Sequence, residues 1–314
     1  MTKNFLSIDD LSSRDELIHL LDRADALRVL PSGLDSDHHA GLLAGSNIAL
    51  LFEKPSLRTK VSFDIAISRL GGQSIFLGNE EVGLDVRERV EDVGRVLGKW
   101  CSGIVARVFS HAALQRLADS SNIPVINALS DAEHPCQAIA DVLTIRRTLG
   151  TLEGVTLAYV GDANNCALSL GIACAILGVN FRISSPNGFG FKSESMGLIE
   201  KRYGDGESGL QVFPSAELAV AQANVIYTDV WSSMGQEAQA EQRRIAFHGF
   251  QVNQHLMDLA APNAILMHPM PAHYGDEVAE GMLDAKYSIA FDQAENRLYA
   301  QMAILEFLFD QIQH

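Results

Sequence analysis

A cluster of hydrogen-bond donors lies within residues 52–63, which read FEKPSLRTKVSF. Five side chains that can donate hydrogen bonds lie between two apolar runs. They belong to Lys54, Ser56, Arg58, Thr59 and Lys60. The cluster falls where a predicted strand gives way to a predicted helix. Free amide hydrogens at a helix N-terminus carry partial positive charge, and hydroxyl and guanidinium groups add to it. The stretch therefore predicts a phosphate pocket, with an ordinary polar turn as the alternative.

Two more stretches place polar side chains at strand-to-helix joins. Arg107 ends a predicted strand in ARVFSH, and His134 and Gln137 lie three positions apart in EHPCQ, on one face of a predicted helix. Because the carboxyl ends of parallel strands face one crevice, we expect these three residues to meet Arg58. Taken singly, His134 could be a hydrogen-bonded structural histidine and Arg107 a salt-bridging residue.

Helical and strand patterns alternate along the chain, and the length of 314 residues favours two domains. Predicted strands lie at 47–52, 74–77, 103–108 and 123–127, and then begin near 155, 180, 224 and 264. Predicted helices follow Ser13, occupy 58–70, 86–100, 111–120 and 134–149, and begin near 164, 193 and 215. This order predicts an α/β fold of two doubly wound parallel-sheet domains, residues 1–150 and 151–293. An amphipathic C-terminal helix, 294–314, should pack back on the first domain.

Composition excludes several classes of partner. A formal charge of −15 and a pI near 5.0 argue against binding nucleic acid or an acidic membrane surface. The chain has no run of about 18 apolar residues, and acidic residues interrupt its start where a secretory signal would continue. The four cysteines, Cys101, Cys136, Cys166 and Cys174, lack paired metal-type spacing. They predict a cytoplasmic protein without disulfides or structural zinc.

The stretch YVGDANN, residues 159–165, has the strand-turn-helix pattern of a dinucleotide site. It lacks G-x-G-x-x-G, since Asp162 and two asparagines replace the glycines that allow close approach of a pyrophosphate. The sequence therefore argues against nucleotide binding here.

Four motifs, FEKPSLRTK, ARVFSH, HPCQAIAD and DVWSSMG, together resemble the ornithine carbamoyltransferases of the aspartate/ornithine carbamoyltransferase superfamily. The resemblance extends over nearly the whole chain. It implies transfer of the carbamoyl group from carbamoyl phosphate to the side-chain amine of L-ornithine, giving L-citrulline and phosphate. It also implies that no cofactor or metal is needed, and that the protein is a homotrimer or a multiple of trimers.

The resemblance assigns roles to individual residues. Carbamoyl phosphate would bind Ser56, Leu57, Arg58, Thr59, Arg107, His134, Gln137, Pro269, Met270 and Arg297. Ornithine would bind Asn165, Asp229, Ser233 and Met234. Arg107, His134 and Asp229 would be catalytic. Negative charge grows on the carbonyl oxygen as phosphate leaves, so fixed donors aimed at both oxyanions suit this reaction.

One stretch departs from the pattern. Ornithine enzymes usually carry His-Cys-Leu-Pro in the last active-site loop, whereas this chain has MHPMP, with Pro269 in place of the cysteine, as in the aspartate enzymes. Proline has neither a thiol nor an amide hydrogen. The resemblance also implies a cis bond before Pro271. The departure leaves open an acceptor such as putrescine, an N-acylornithine or aspartate, or a non-catalytic phosphometabolite-binding homologue.

Overall fold

The structure is a computed structural model that describes residues 3–29, 41–204, 208–232 and 239–310. The chain forms two compact units, the first from Met1–Ala140 and Arg297–His314, the second from Asp141–Asn296. Each unit contains an all-parallel sheet flanked by helices, which confirms the predicted α/β class. The boundaries between the units fall inside two helices, α6 (Pro135–Leu149) and α12 (Ala290–Phe309).

The sheet of the first unit has the strand order β2-β1-β3-β4. Its strands are β1 (Asn47–Phe52), β2 (Gln73–Gly78), β3 (Gly103–Arg107) and β4 (Val125–Leu129). The remaining helices of this unit are α1 (Arg14–Val29), α2 (Leu57–Arg69), α3 (Asn79–Val82), α4 (Val90–Trp100) and α5 (His111–Ser121). The chain leads from β1 to β2 on one side and then returns to β3 on the other side of β1. The carboxyl ends of β1 and β3 therefore form a topological switch point, where open α/β sheets bind ligands.

Apolar runs explain why these segments become central strands. Every residue of β3 is buried, and so are the last five residues of β1, as expected for strands covered on both faces. The helix predicted after Ser13 is confirmed as α1, whose apolar face is buried through Leu17, Leu20, Leu21, Ala24 and Leu27. The register pairs Phe52 with Arg107 and Arg107 with Leu129, so the carboxyl ends of three strands lie side by side.

The sheet of the second unit has the order β7-β6-β5-β8-β9. Its strands are β5 (Thr156–Val160), β6 (Asn180–Ser184), β7 (Leu210–Phe213), β8 (Val225–Tyr227) and β9 (Ile265–Met267). Its helices are α7 (Asn165–Leu177), α8 (Ser193–Tyr203), α9 (Ala216–Val220), α10 (Ala240–Ala246) and α11 (Gln254–Leu259). The order reverses between β5 and β8, so the loops after these two strands meet at the second switch point.

Residues from Arg297 onward belong to the first unit, so the predicted return of the C-terminal helix is confirmed. Glu306 on α12 forms an ion pair with Arg23 on α1, with an oxygen–nitrogen distance of 2.8 Å. None of the helices in the described ranges combines the length and apolar character required to cross a bilayer.

Two local predictions were wrong. The strand β7 was not expected, because it is an edge strand whose Gln211 and Val212 are exposed and whose short sequence lacks an apolar run. The helix predicted over 86–100 begins only at Val90. Asp85 before it has a φ of 57°, and Val86 is 92% exposed, so this segment is a turn.

Candidate active site

Three predicted site residues of the first unit are joined by direct hydrogen bonds. The guanidinium of Arg297 on α12 donates from Nη2 to Thr59 Oγ1 at 2.7 Å and from Nη1 to Gln137 Oε1. All three side chains are buried. Because the Thr59 oxygen accepts from Arg297, its own hydroxyl proton can donate to a ligand. The arrangement is a positively charged cluster built from three helices, as the sequence predicts for an anion site.

The start of α2 adds backbone donors to this cluster. Ser56 is the N-cap residue, and its Oγ accepts from the Thr59 amide at 3.3 Å. Leu57 is the first helical residue and its side chain is 73% exposed, so only its amide group suits a phosphate. Burial lowers the pKa of the half-buried Arg58, which still remains charged because an arginine does not lose its proton in proteins.

His134 and Arg107 lie in the same electrostatic environment as Arg297. Both residues are buried, at 4% and 7% exposure. Burial, followed by the charges of Arg297 and Arg107, holds the pKa of His134 well below the ordinary value of 6.5. The imidazole is therefore neutral at physiological pH, when it can donate one hydrogen bond to a substrate oxygen without adding a further charge.

The turn before α6 fixes where His134 stands. Ser130 Oγ accepts from the Glu133 amide at 3.3 Å, and the Glu133 carboxylate accepts from Ser7 Oγ and, at 3.2 Å, from the Ile8 amide. Asn127, fully buried in the middle of β4, donates from Nδ2 to Leu6 O at 2.8 Å. The N-terminal segment of the chain thus holds the turn that presents the histidine.

The lowered pKa of His134 predicts how stability depends on pH. The unfolded chain binds a proton at this histidine below about pH 6.5, whereas the folded chain does not, so stability falls as the pH drops below that value. In urea unfolding at fixed protein concentration, the stability of His134→Gln should fall less than that of the wild type between about pH 6.5 and 5. His19→Gln, at an exposed position on α1, is the matched control. Parallel curves for the wild type and His134→Gln would contradict the assignment.

In the second unit, the loops after β5 and β8 are joined at the predicted amino-acid site. Asn164 is the N-cap residue of α7, and its Nδ2 donates to Asp229 Oδ2 at 2.8 Å. Asp229 Oδ1 accepts from the Val230 amide at 2.8 Å. Asp229 is buried at 8% exposure, so its carboxylate is a fixed acceptor with little freedom to turn. Such a group suits an ammonium ion.

The loop that contains Pro269 is held by a buried pair. His268 Nε2 and Glu277 Oε1 are 3.2 Å apart, and both side chains are fully buried. His268 Nδ1 accepts from the Met270 amide at 2.9 Å. Met270 has a φ of 56°, which is strained for a residue with a side chain, and this hydrogen bond supports it. The implied cis bond between Met270 and Pro271 is present.

Comparison with known proteins identifies the family. Residues 3–147 match the family model "Aspartate/ornithine carbamoyltransferase, carbamoyl-P binding domain", and residues 153–308 match its partner, the "Asp/Orn binding domain". The chain belongs to the aspartate/ornithine carbamoyltransferase family.

Curated relatives and a solved structure agree with this assignment. The ornithine carbamoyltransferase of Symbiobacterium thermophilum is 44% identical over 308 residues, which cover 96% of this chain and 96% of the relative. That of Acidothermus cellulolyticus is 43% identical and covers 99% of this chain and 97% of its own length. The solved structure of the Pyrococcus furiosus ornithine carbamoyltransferase superposes with a TM-score of 0.92 at 39% identity, covering 98% of this chain and 97% of that one.

The two units divide the site residues that the carbamoyltransferase resemblance implies. The first unit contains eight of them, namely Ser56, Leu57, Arg58, Thr59, Arg107, His134, Gln137 and Arg297. The second contains Asn165, Asp229, Pro269 and Met270. Ser233 and Met234 lie outside the described residues. Within the second unit it is Asn164, and not its predicted neighbour, that bonds Asp229, while Asn165 Oδ1 accepts from the Cys166 amide.

Sequence reasoning missed three residues that hold this carbamoyltransferase site together. Glu277 braces His268, Asn164 orients Asp229, and Arg243 contacts two loops of the second unit. Asn164 could have been found as the N-cap of the predicted helix. Glu277 lies outside the helices and strands, and Arg243 lies in a helix of only seven residues, so neither belongs to a long periodic pattern. In the described ranges, no three His, Cys, Asp or Glu side chains are grouped as a metal site.

Proposed function

We propose that this protein transfers the carbamoyl group from carbamoyl phosphate to the δ-amino group of L-ornithine, giving L-citrulline and phosphate. The observation that carries the proposal is the buried cluster in which Arg297 links Thr59 to Gln137 beside His134 and Arg107. Two guanidinium groups and a helix N-terminus supply the positive charge that a doubly charged acyl phosphate requires. The similarity to enzymes named ornithine carbamoyltransferase supports the choice of acceptor.

In this proposal the first unit binds and polarises carbamoyl phosphate. The amides of α2 and the side chains of Ser56, Arg58 and Thr59 bind the phosphate. Arg107 bridges the phosphate and the carbonyl oxygen, and neutral His134 donates to that oxygen. Gln137 accepts from the carbamoyl NH₂, since its oxygen has a second lone pair besides the one used by Arg297. Each donor aimed at a developing oxyanion stabilises the transition state by about 2.7–4 kcal/mol.

The second unit binds the amino acid. Asp229, fixed by Asn164, accepts from the α-ammonium group, and Asn165, Ser233 and Met234 complete the ornithine contacts. The attacking amine must be neutral, and its bond to the carbonyl carbon forms as the bond from that carbon to the phosphate oxygen breaks. The proton that the amine nitrogen then loses passes to the departing phosphate. Pro269 offers no thiol or amide hydrogen. The backbone carbonyls of His268 and Met270 therefore orient the amine in this protein.

The decisive experiment is a product assay with carbamoyl phosphate and a panel of amines. Citrulline formed from ornithine, with one phosphate released per citrulline, supports the proposal. Ureidosuccinate, carbamoylputrescine or an N-acylcitrulline would redirect it to aspartate, putrescine or an N-acylornithine. Binding of a bisubstrate or phosphonate analogue without any product would identify a non-catalytic binding protein.

We also propose that the protein assembles as a homotrimer or a multiple of trimers. Exposed apolar side chains of the first unit support association, because Leu57, Val61 and Ile65 on α2 and Ile75 and Phe76 on the edge strand β2 are all at least 39% exposed. The three residues of α2 are spaced four apart and so share one helix face, and exposed apolar surface of this kind marks interfaces. Acidic Asp85, on the neighbouring loop, is paired with Arg116 at 2.6 Å.

Association predicts a result for Ile65→Asp. Light scattering after size-exclusion chromatography should give three times the chain mass of 34.1 kDa, or a multiple of this, for the wild type. A buried, unpaired carboxylate in the interface costs several kcal/mol, so Ile65→Asp should elute as a monomer. Leu198→Asp, at a 41% exposed position on α8, is the matched control and should keep the wild-type mass. An unchanged mass for Ile65→Asp would exclude this surface.

Compartment and domain division complete the proposal. The cysteines Cys101, Cys136, Cys166 and Cys174 are free thiols, which fits the reducing cytoplasm.

We assign residues 1–150 with 294–314 to the carbamoyl phosphate-binding domain and 151–293 to the ornithine-binding domain. The end of α6 at Leu149 and the gap between the two family models, from 147 to 153, support the first boundary. The membership of Arg297–His314 in the first compact unit supports the assignment of the C-terminal helix.

A further inference from the structure

A buried arginine joins the two loops that form the proposed amino-acid site. Arg243, on α10, is 7% exposed. Its Nη1 donates to Asp162 Oδ2 at 2.7 Å and to the backbone oxygen of Trp231 at 2.6 Å. Asp162 lies in the loop after β5, two residues before Asn164, and Trp231 lies two residues after Asp229. One guanidinium group thus connects the segment that carries Asn164 to the segment that carries Asp229.

Aromatic rings hold this guanidinium in place. Its Cζ lies 4.9 Å from the centroid of the Phe189 ring. Phe189 packs against the fully buried Phe247 with centroids 4.8 Å apart, and Phe247 stacks on Trp231 at 5.5 Å. Ala163 donates its amide to the Phe189 backbone oxygen at 2.9 Å. One of these rings, Trp231, belongs to a loop that the arginine connects, and Phe189 is hydrogen-bonded to the other loop through Ala163. The arginine therefore has little freedom to leave Asp162.

Charge gives this contact a role in binding. The Asp162 carboxylate is largely buried and feels the negative charge of Asp229. Burial raises the pKa of Asp162, hydrogen bonding and attraction from Arg243 oppose that rise, and Asp229 adds to it. Without the guanidinium, two buried carboxylates would repel each other and the carboxylate of an amino acid. One of them would take up a proton, or the loops would separate.

We propose that Arg243 is a positioning residue for the amino-acid substrate: it neutralises Asp162 and fixes the Trp231 carbonyl, so that Asp229 alone presents net negative charge to the substrate ammonium group. This inference rests on the proposed transfer to ornithine and adds a determinant of its KM. Arg243 acts through Asp162 and Asp229 and is not a catalytic residue.

The test is a double-variant cycle on Arg243→Gln and Asp162→Asn. Arg243→Gln should raise the KM for ornithine about 10- to 100-fold, because the uncompensated Asp162 carboxylate disturbs Asp229 and repels the carboxylate of the amino acid. The kcat and the KM for carbamoyl phosphate should stay within about twofold of wild type, since an interaction made equally in the ground and transition states affects KM alone. The double variant removes both charges, so its KM for ornithine should be at least about threefold lower than that of Arg243→Gln.

The pH profile of kcat/KM for ornithine separates charge compensation from simple packing. The charged or titratable groups that face Asp162 are Arg243, Asp229 and Tyr159. In Arg243→Gln, Asp162 no longer has a cationic partner. The pH profile of this variant should therefore contain one ionisation that the profiles of the wild type and the double variant lack. Arg243→Lys, which keeps the charge, should raise KM less than Arg243→Gln does. A double variant no better than Arg243→Gln, with an unaltered pH profile, would overturn the inference.

A variant that fails to fold does not remove the test. If Arg243→Gln is insoluble, Asp162→Asn decides alone: an uncompensated guanidinium beside the ammonium site should raise the KM for ornithine, and an unchanged KM overturns the inference. The wild-type enzyme keeps the two proposals distinguishable. If it forms no citrulline, the proposed acceptor is wrong, whereas citrulline formation with wild-type KM in the variants refutes only the role of Arg243.

Discussion

Replacing Arg107 by methionine should lower the kcat for citrulline formation about 10²- to 10³-fold, the usual loss when a donor to a developing oxyanion is removed. Methionine keeps much of the apolar stem but removes the charge at the end of β3. The fold should survive, because Arg107 lies near the positive charge of Lys54 and its removal relieves that repulsion. Steady-state kinetics with both substrates, together with thermal unfolding, make the measurement.

A matched control is available on the surface of the same unit. Arg95 on α4 is exposed and pairs with Asp92 at 3.1 Å, so Arg95→Met makes the same chemical change without touching the cluster. The control should keep wild-type kcat. If Arg107→Met also retains wild-type turnover with an unchanged melting temperature, Arg107 does not belong to the site. The proposed mechanism would then have to find another group for the bridging role.

The second large effect is expected for Asp229→Asn. The substitution keeps the shape of the side chain but removes the negative charge opposite the α-ammonium group. A hydrogen bond to a charged group is worth about 1.5–3 kcal/mol, so the KM for ornithine should rise about 10- to 100-fold. The KM for carbamoyl phosphate should not change, since Asp229 and the phosphate cluster lie in different compact units.

Asp258→Asn supplies the comparison for this substitution. Asp258 is exposed on α11 and accepts from Gln254 Nε2 at 2.8 Å, so the loss of its charge should leave both KM values unchanged. A normal KM for ornithine in Asp229→Asn would remove the carboxylate from the acceptor site. A rise in the KM for carbamoyl phosphate alone would instead assign the Asp229 carboxylate to the carbamoyl phosphate site.

The convergence of distant residues in the first unit was predictable from elementary rules. Buried apolar runs identify central parallel strands, and parallel strands bring their carboxyl ends to one edge. That logic placed Arg107 beside the end of β1 and His134 after β4, where the structure has them. The N-cap of α2 at Ser56 could likewise be predicted, because a serine before a helical pattern accepts hydrogen bonds from the exposed amides.

Pairings between residues far apart in the chain were not predictable. The contact between Arg297 and Thr59 spans 238 positions, and neither residue type specifies the other. Arg243 and Asp162 are 81 positions apart, and each would also be an ordinary surface residue in a helix or a loop. Periodicity reports which face of an element is buried but not which polar group it meets, so these contacts emerge only from the packed fold.

Pro269 has a chemical consequence beyond the acceptor loop. With no cysteine at that position, the remaining thiols are Cys136, Cys166 and Cys174, all buried, and the partly exposed Cys101. Burial raises the pKa of Cys136 to about 12 and also raises those of Cys174 and Cys101, so these sulfurs stay protonated. Alkylating agents and peroxides attack thiolates. We therefore expect the cysteines of this protein to react slowly with electrophiles and peroxides.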